Sequence, residues 1–225
     1  MIAVDIPIGT GHTYPRPADV AARKFVGRRR SSVFLTPPRP VLQATDYSVA
    51  RQLAREQFDI GVSAQAYSPA PRIFEVDEVA RLDPRIIEVY PGVSFKAMAG
   101  DELRFPKTSW NGLKLREGLL EYHGIQLPDN LGDAGVAKPD DVVDAATAAW
   151  TAHRYAAGVL SRSPKLSGRL IRTSPSGTKQ KRQQARIRTS PSSWGKVKRI
   201  FAGYQLVLVD NNQGGNRWRL RPTQS

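Results

Sequence analysis

The sequence predicts an α/β domain in residues 1–160, followed by a basic extension in residues 161–225. Two short apolar runs rich in β-forming residues alternate with stretches of helical periodicity, the pattern of a layered α/β fold. Charge separates the two parts: residues 1–160 contain 19 basic and 19 acidic side chains, whereas residues 161–225 contain 15 basic side chains and one acid. The whole net charge of +14 therefore belongs to the extension.

Two segments are predicted to be buried strands. The first, Ile2–Ile8, is an apolar run that Pro7 interrupts and Gly9 ends. The second, Arg85–Tyr90, is mostly apolar or β-forming, with Glu88 between Ile87 and Val89. Two strands are few for a sheet that must accommodate several helices.

Five segments are predicted to be helices from their periodicity and from the residues at their ends. Asp46 is the expected N-cap of the second helix and Asp140 that of the last, because a carboxylate accepts hydrogen bonds from the first free N–H groups. The predicted helices are Pro17–Val26, Asp46–Phe58, Arg72–Arg81, Trp110–His123 and Asp140–Ala157.

The extension is predicted to have two parts. Residues 161–200 are rich in Ser, Pro and basic residues and repeat an Ile-Arg-Thr-Ser-Pro-Ser motif, a composition typical of disorder. Residues 201–221 have the pattern of a strand, a turn and a second strand. A charge block of this kind indicates an arm that binds a polyanion, with Lys179, Lys181 and Arg182 as phosphate contacts, or simply a solvated extension.

Several classes of protein are excluded or disfavoured. The chain has no cysteine, so it forms neither disulfides nor thiolate metal sites. A Gly-Lys-Ser/Thr phosphate loop and a Gly-x-Ser-x-Gly nucleophile elbow are both absent from the sequence. The N-terminus has neither a basic leader nor a long apolar run, so we expect a cytoplasmic protein that does not contact a membrane.

Acidic residues in two distant segments form the candidate site. Asp5 lies near the end of the first strand, and ligands of open α/β sheets gather at the carboxyl ends of strands. Asp141 and Asp144 are three residues apart and therefore share one face of the last helix. If the three acids converge, they form a pocket for Mg²⁺ or Mn²⁺, which prefer oxygen ligands and activate water for attack on a phosphodiester.

Each acid also has a structural interpretation. Asp5 is equally suited to forming a turn, and acids in a first helical turn are stabilised by the helix dipole. The face of Asp144 continues in small residues, which favour close packing of this helix on a sheet; these residues are Ala145, Ala148 and Ala152.

A series of motifs resembles a known family. In order along the chain these are Ile2-Ala-Val-Asp-Ile-Pro-Ile-Gly9, Asp19-x-x-Ala-Arg23, Arg29-Arg-Ser-Ser-Val-Phe34, Ser63-x-Gln65, Ile73-x-Glu-Val-Asp77, Glu88-Val-Tyr-Pro-x-Val-Ser-Phe95, Lys107-Thr108 and Asp140-Asp-Val-Val-Asp-Ala145. Over residues 1–158 they resemble the bacterial family called domain of unknown function four hundred and twenty-nine, which is described as predicted nucleases of RNase H-like fold.

The resemblance implies a five-stranded mixed sheet with flanking helices and a carboxylate cluster that binds divalent metal. Asp5 would end the central fourth strand, with Asp141 and Asp144 on the final helix facing it. Glu75 and Asp77 would be polar groups near the pocket. The residues expected to contact the phosphates of nucleic acid are Arg28, Arg29, Arg30, Lys107 and Arg116.

Two departures from the family pattern are visible. Met1 stands directly before the segment matching the fourth strand, which predicts an N-terminally truncated copy without the first three strands and their acid. A His-Pro-Glu pattern is replaced by Tyr90-Pro91-Gly92. The segment from Val207 to Trp218 is similar to the missing first hairpin, so we hypothesise that it docks beside the first strand and supplies Asp210 as the absent metal ligand.

The leading expectation is a metal-dependent nuclease-like hydrolase, active or degenerate. The alternative is a non-catalytic nucleic-acid-binding or scaffold protein that acts through its basic tail. A third interpretation is a fragment whose tail has no function.

Overall fold

The protein is described by a computed structural model, which covers residues 1–159 and two strands at residues 204–209 and 217–222. The predicted disorder of residues 161–200, and the positions of Lys179, Lys181, Arg182 and Asp210, lie outside the described residues. The described part is mixed α/β, mostly helical with a small parallel sheet.

The helices, in chain order, are α1 (Pro17–Val26), α2 (Arg39–Leu42), α3 (Tyr47–Phe58), α4 (Ala64–Tyr67), α5 (Ala70–Leu82), α6 (Pro91–Ala99), α7 (Trp110–Tyr122) and α8 (Pro139–Ala156). The strands are β1 (Ile2–Val4), β2 (Ile86–Glu88), β3 (Ile125–Gln126), β4 (Tyr204–Val209) and β5 (Arg217–Pro222). Two 3₁₀ segments, Gly27–Ser32 and Gly132–Val136, complete the secondary structure of the described residues.

Strands β1 and β2 pair in parallel, with Val4 opposite Glu88. Both lie within the predicted segments but are shorter than predicted. After Val4 the chain turns away from the sheet, and the amide of Ile8 donates to the Glu88 carboxylate at 2.9 Å instead of to a strand. Because parallel strands end at the same edge of a sheet, Asp5 and Glu88 are brought to one edge.

The end signals of the helices explain most of their bounds. Helix α1 has the predicted bounds, and α3 follows the predicted N-cap, since Asp46 accepts a hydrogen bond from the amide of Val49 at 3.0 Å. The N-cap prediction for Asp140 was wrong. Helix α8 begins at Pro139, whose fixed φ suits the first helical position, so Lys138 is the N-cap and Asp140 lies inside the first turn.

Helix α6 was not predicted, because its first turn follows β2 with only Val89 and Tyr90 between them. Pro91 at the first helical position is the signal that would have separated the two elements. The helix is short and its apolar residues are continuous with those of the strand, so periodicity alone does not distinguish it.

Helix α8 packs against β1, α6 and α7 and places its N-terminal half beside the sheet edge. Ala148 packs against Ile87 and Val89, as the small-residue pattern predicts. Ala152 is also buried, whereas Ala145 is exposed, so the predicted packing face is correct only for the last two alanines. The main core cluster, formed largely by α6, α7 and α8, is centred on Phe95, Leu120, Ile125, Val143 and Trp150.

Strands β4 and β5 pair antiparallel, and β5 pairs in parallel with β3, so that Ile125 lies opposite Trp218. The hypothesis that this hairpin docks beside β1 was therefore wrong: its backbone partner is β3, whose hydrogen-bonding edge accepts β5. The described residues form a two-stranded and a three-stranded sheet. The five-stranded sheet implied by the family resemblance is not formed within them.

Candidate active site

A cleft of about 250 Å³ lies beside the carboxyl edge of β1 and β2. Two acids from different elements line it, Asp5 from the turn after β1 and Asp144 from α8. Its other charged lining residues are cations, namely Arg29, Lys96, Lys107 and Arg116. The cleft therefore has a carboxylate pair in otherwise positive surroundings.

Asp5 is accessible to water, although protein atoms surround much of its carboxylate. These concave surroundings reduce its hydration and, with the negative charge of Asp144, raise the pKa of Asp5 to about 7, against the opposing charge of Lys107. The charges of Glu88 and Asp141 add to the upward shift. Partial loss of hydration next to like charges, rather than full burial, is thus the physical cause.

Asp144 is buried and is held by Lys107, whose ammonium donates to its Oδ2 at 2.7 Å. The same ammonium lies 3.4 Å from Asp140 Oδ2. Burial raises the pKa of Asp144 even though Lys107 opposes that change. Burial disfavours the charge of Lys107, but its hydrogen bond to Asp144 and the nearby acids raise its pKa overall, so Lys107 stays protonated.

The three predicted catalytic acids do not all reach the cleft. Asp141 is exposed on the first turn of α8 and does not line it, although its charge affects Asp5. Within the described residues there is no cluster of three or more His, Cys, Asp or Glu side chains arranged to hold a metal ion. Asp210, the further predicted metal ligand, lies outside the described residues.

The chemistry of the pair in the cleft nevertheless suits a hard cation. Carboxylate oxygens are the preferred ligands of Mg²⁺ and Mn²⁺. Asp5 and Asp144 repel each other electrostatically, and a cation between them would relieve that repulsion. Lys107 now supplies the only ion pair that Asp144 forms within residues 1–159. The residues present therefore fit a site with two protein carboxylates.

A buried polar network fixes the segment that carries Asp5. The Arg16 guanidinium binds both oxygens of Glu88, and its Nε and Nη2 donate to Asp19 Oδ1 at 3.1 and 2.8 Å. Tyr90 accepts from Arg16 at 2.7 Å and donates to Asp19. Because Glu88 also accepts from the amide of Ile8, the network links β2, α1 and the chain just after Asp5.

This network was not predicted as part of the site. The position of Glu88 within the second predicted strand, near its carboxyl end, was the signal available in the sequence. Tyr90 lines the cleft, and burial, together with the charge of Glu88, raises its pKa well above the usual range of a phenol. Tyr90 therefore remains neutral and acts as a hydrogen-bond donor.

The predicted phosphate-binding residues are divided between the cleft and the surface. Arg29, Lys107 and Arg116 line the cleft. Arg28 has a 93% exposed side chain 3.6 Å from Glu102, and Arg30 is exposed away from the cleft.

The predicted polar neighbours Glu75 and Asp77 also lie outside the cleft. Glu75 is exposed on α5. Asp77 is buried, accepts from the amide of Gly9 at 2.6 Å and pairs with Arg39 at 2.8 Å. Asp77 thus anchors the loop that follows Asp5 rather than contributing to the pocket.

Comparison with protein families identifies the relatives of this chain. The model of the family "Protein of unknown function (DUF429)" matches residues 1–167. The chain belongs to the DUF429 family. The match extends from β1 through α8 and therefore includes every residue that lines the cleft. No curated protein and no solved structure matches the chain.

The family prediction is confirmed, and the RNase H-like nuclease assignment stays a prediction for this DUF429 protein. Within the part that the structure describes, no helix has both the length and the apolar composition needed to cross a bilayer.

Proposed function

We propose that this DUF429 protein is a metal-dependent nuclease of RNase H-like type that hydrolyses phosphodiester bonds. The observation that carries the proposal is the pairing of Asp5 and Asp144 in a cleft whose other charged lining residues are cations. Two carboxylates and several cations in one cleft match the needs of a reaction that binds a divalent ion and a phosphate together.

In this proposal Asp5 and Asp144 hold one Mg²⁺ or Mn²⁺ through their carboxylate oxygens. Such an ion, when bound, supplies activated water and stabilises negative charge on the phosphate oxygens. Lys107 orients Asp144 through its 2.7 Å hydrogen bond and places an ammonium beside the phosphate position. Tyr90 and Arg16 hold Glu88 and the chain after Asp5, so that Asp5 keeps its direction into the cleft.

A cleavage assay tests the proposal. Labelled single-stranded DNA and RNA are incubated with the full chain in Mn²⁺, in Mg²⁺ and in EDTA. We expect metal-dependent cleavage that falls at least about 100-fold in Asp5→Asn and in Asp144→Asn. Asp133→Asn removes an exposed acid outside the cleft and should keep full activity. Equal cleavage in EDTA, or equal cleavage by the wild type and both cleft variants, would overturn the proposal.

A non-catalytic nucleic-acid-binding role is the second candidate. It is favoured by the absence of a three-ligand metal cluster from the described residues and by the ion pair that already neutralises Asp144. This role predicts binding that weakens steeply with salt, because phosphate contacts release counterions. It also predicts that Asp5→Asn binds nucleic acid as well as the wild type and that neither protein cleaves it.

A further inference from the structure

We propose that Arg29 and Arg116 form a subsite for a terminal phosphomonoester, so that the protein recognises the phosphorylated end of an oligonucleotide. The inference rests on the proposed function, since it names the substrate group that the same cleft would accept. It assigns to the two arginines a role distinct from that of the Asp5 and Asp144 pair.

Arg116 is a buried cation that lines the cleft. Arg116 is 5% exposed, and its Nη1 donates to the main-chain oxygen of Gly112 at 2.8 Å. The guanidinium lies over the ring of Phe95 at 5.3 Å, which fixes its plane. Within residues 1–159 no carboxylate forms a salt bridge with Arg116, and Asp144, whose charge affects it, is already bonded to Lys107.

Arg29 reaches the same cleft from the first 3₁₀ segment. Its Nη2 donates to the main-chain oxygen of Arg104 at 2.7 Å, and its side chain also lacks a carboxylate partner within the described residues. Burial lowers the pKa of Arg116, and the positive charge of Arg29 adds to that effect, while the charges of Asp144 and Asp140 oppose it. Within the described residues the fold therefore places two guanidinium groups within electrostatic reach of each other, and neither of them forms a salt bridge with a carboxylate.

A doubly charged anion suits this arrangement best. A buried charge without a counterion is costly, and arginine binds phosphate through paired N–H groups. A phosphodiester carries one negative charge, whereas a phosphomonoester carries about −1.5 to −2 at neutral pH. Two arginines thus match a terminal phosphate better than an internal one.

The size and the polar lining of the cleft agree with an end group. A volume of about 250 Å³ admits a phosphate with its adjoining sugar but not a duplex. Ser31 and Thr108 also line the cleft, and their hydroxyls are available as further donors.

Binding of short oligonucleotides tests the subsite independently of hydrolysis. Dissociation constants of the full chain are measured in EDTA for a 5′-phosphorylated, a 3′-phosphorylated and an unphosphorylated tetranucleotide. We expect one phosphorylated form to bind about tenfold more tightly than the unphosphorylated form. Arg29→Gln and Arg116→Gln should abolish this preference, whereas Arg28→Gln, an exposed change of the same charge, should retain it.

Two outcomes would overturn the subsite: equal affinity of the wild type for all three oligonucleotides, or the same loss of preference in Arg28→Gln as in Arg29→Gln. Circular dichroism checks that each variant is folded. If Arg116→Gln unfolds, the result for Arg29→Gln, a change at a half-buried residue, is used instead. If the wild type never cleaves but the preference for the phosphorylated form persists, also in Asp144→Asn, the proposed function is refuted and the subsite is supported. Metal-dependent cleavage without any preference for a phosphorylated end would support the proposed function and refute the subsite.

Discussion

Replacing Arg16 with methionine is expected to destabilise the folded protein by about 3–5 kcal/mol, because removing one partner of a buried ion pair leaves uncompensated charge. Asp19 is fully buried and the Glu88 side chain is 15% exposed, so neither carboxylate can recover its hydration in the folded state. Methionine fills much of the vacated space but donates no hydrogen bond. Asp19 keeps two donors, the amide of Thr36 at 2.6 Å and the hydroxyl of Tyr90, but no cation.

The size of the effect follows from the contacts that are lost. The guanidinium forms ion pairs with two acids and also donates to the main-chain oxygen of Ile8 at 2.9 Å. For a domain of this size, about 3–5 kcal/mol corresponds to a decrease in melting temperature of roughly 6–20 °C.

Thermal and urea unfolding of the full chain, followed by circular dichroism, measure the effect. Arg28→Met is the matched control, since its side chain is 93% exposed and its pair with Glu102 should contribute less than about 1 kcal/mol. If Arg16→Met were no more destabilising than Arg28→Met, the network would not hold the sheet edge together. The account of how Asp5 is positioned would then be wrong.

The other predictions concern single side chains near the cleft. Gly112→Ala should destabilise the folded protein by several kcal/mol, because a Cβ there would lie 1.6 Å from the main-chain oxygen of Pro106. Gly118→Ala on the same helix should be neutral or stabilising, because its Cβ would meet nothing within 4 Å. Urea unfolding of the two variants compares these effects. The pKa of Asp5 in the folded protein, about 7, exceeds its ordinary value of 3.8, so the folded protein binds this proton more tightly than the unfolded chain does. The stability that Asp5 contributes therefore declines as the pH rises from 3.8 to about 7. Asp5→Asn should remove that decline from melting temperatures measured across this pH range, and an unchanged pH profile would contradict the shift in pKa. Lys107→Met should lower the melting temperature more at high than at low pH, because its ammonium no longer offsets the charges of Asp140 and Asp144. For the same reason Mn²⁺ should raise the melting temperature of this variant more than that of the wild type. Equal responses of the two proteins to Mn²⁺ would contradict this prediction.

Local signals in the sequence were sufficient for several elements. Pro17 and Gly27 bracket α1, and Asp46 caps α3, because these residues act through their own backbone or the next turn. The lengths of the strands were not predictable in the same way. β1 ends after Val4 because the Glu88 carboxylate captures the Ile8 amide, a contact between residues far apart in sequence.

The composition of the site shows the same division. The position of Asp5 after a strand and that of Asp144 on a helix face follow from periodicity, and both residues line the cleft. Arg16 was not predicted as part of the site, and Lys107 was predicted only as a phosphate contact, since the ion pairs of both cations depend on which acids the tertiary fold places within reach. Pairings between distant charges are set by packing, which periodicity does not encode.

The position of Mn²⁺ in a crystal of the full chain tests the central claim most directly. Anomalous scattering should place an ion in direct contact with carboxylate oxygens of both Asp5 and Asp144. Mn²⁺ bound elsewhere, with Asp5 and Asp144 both lacking it at saturating concentration, would contradict the proposed active site.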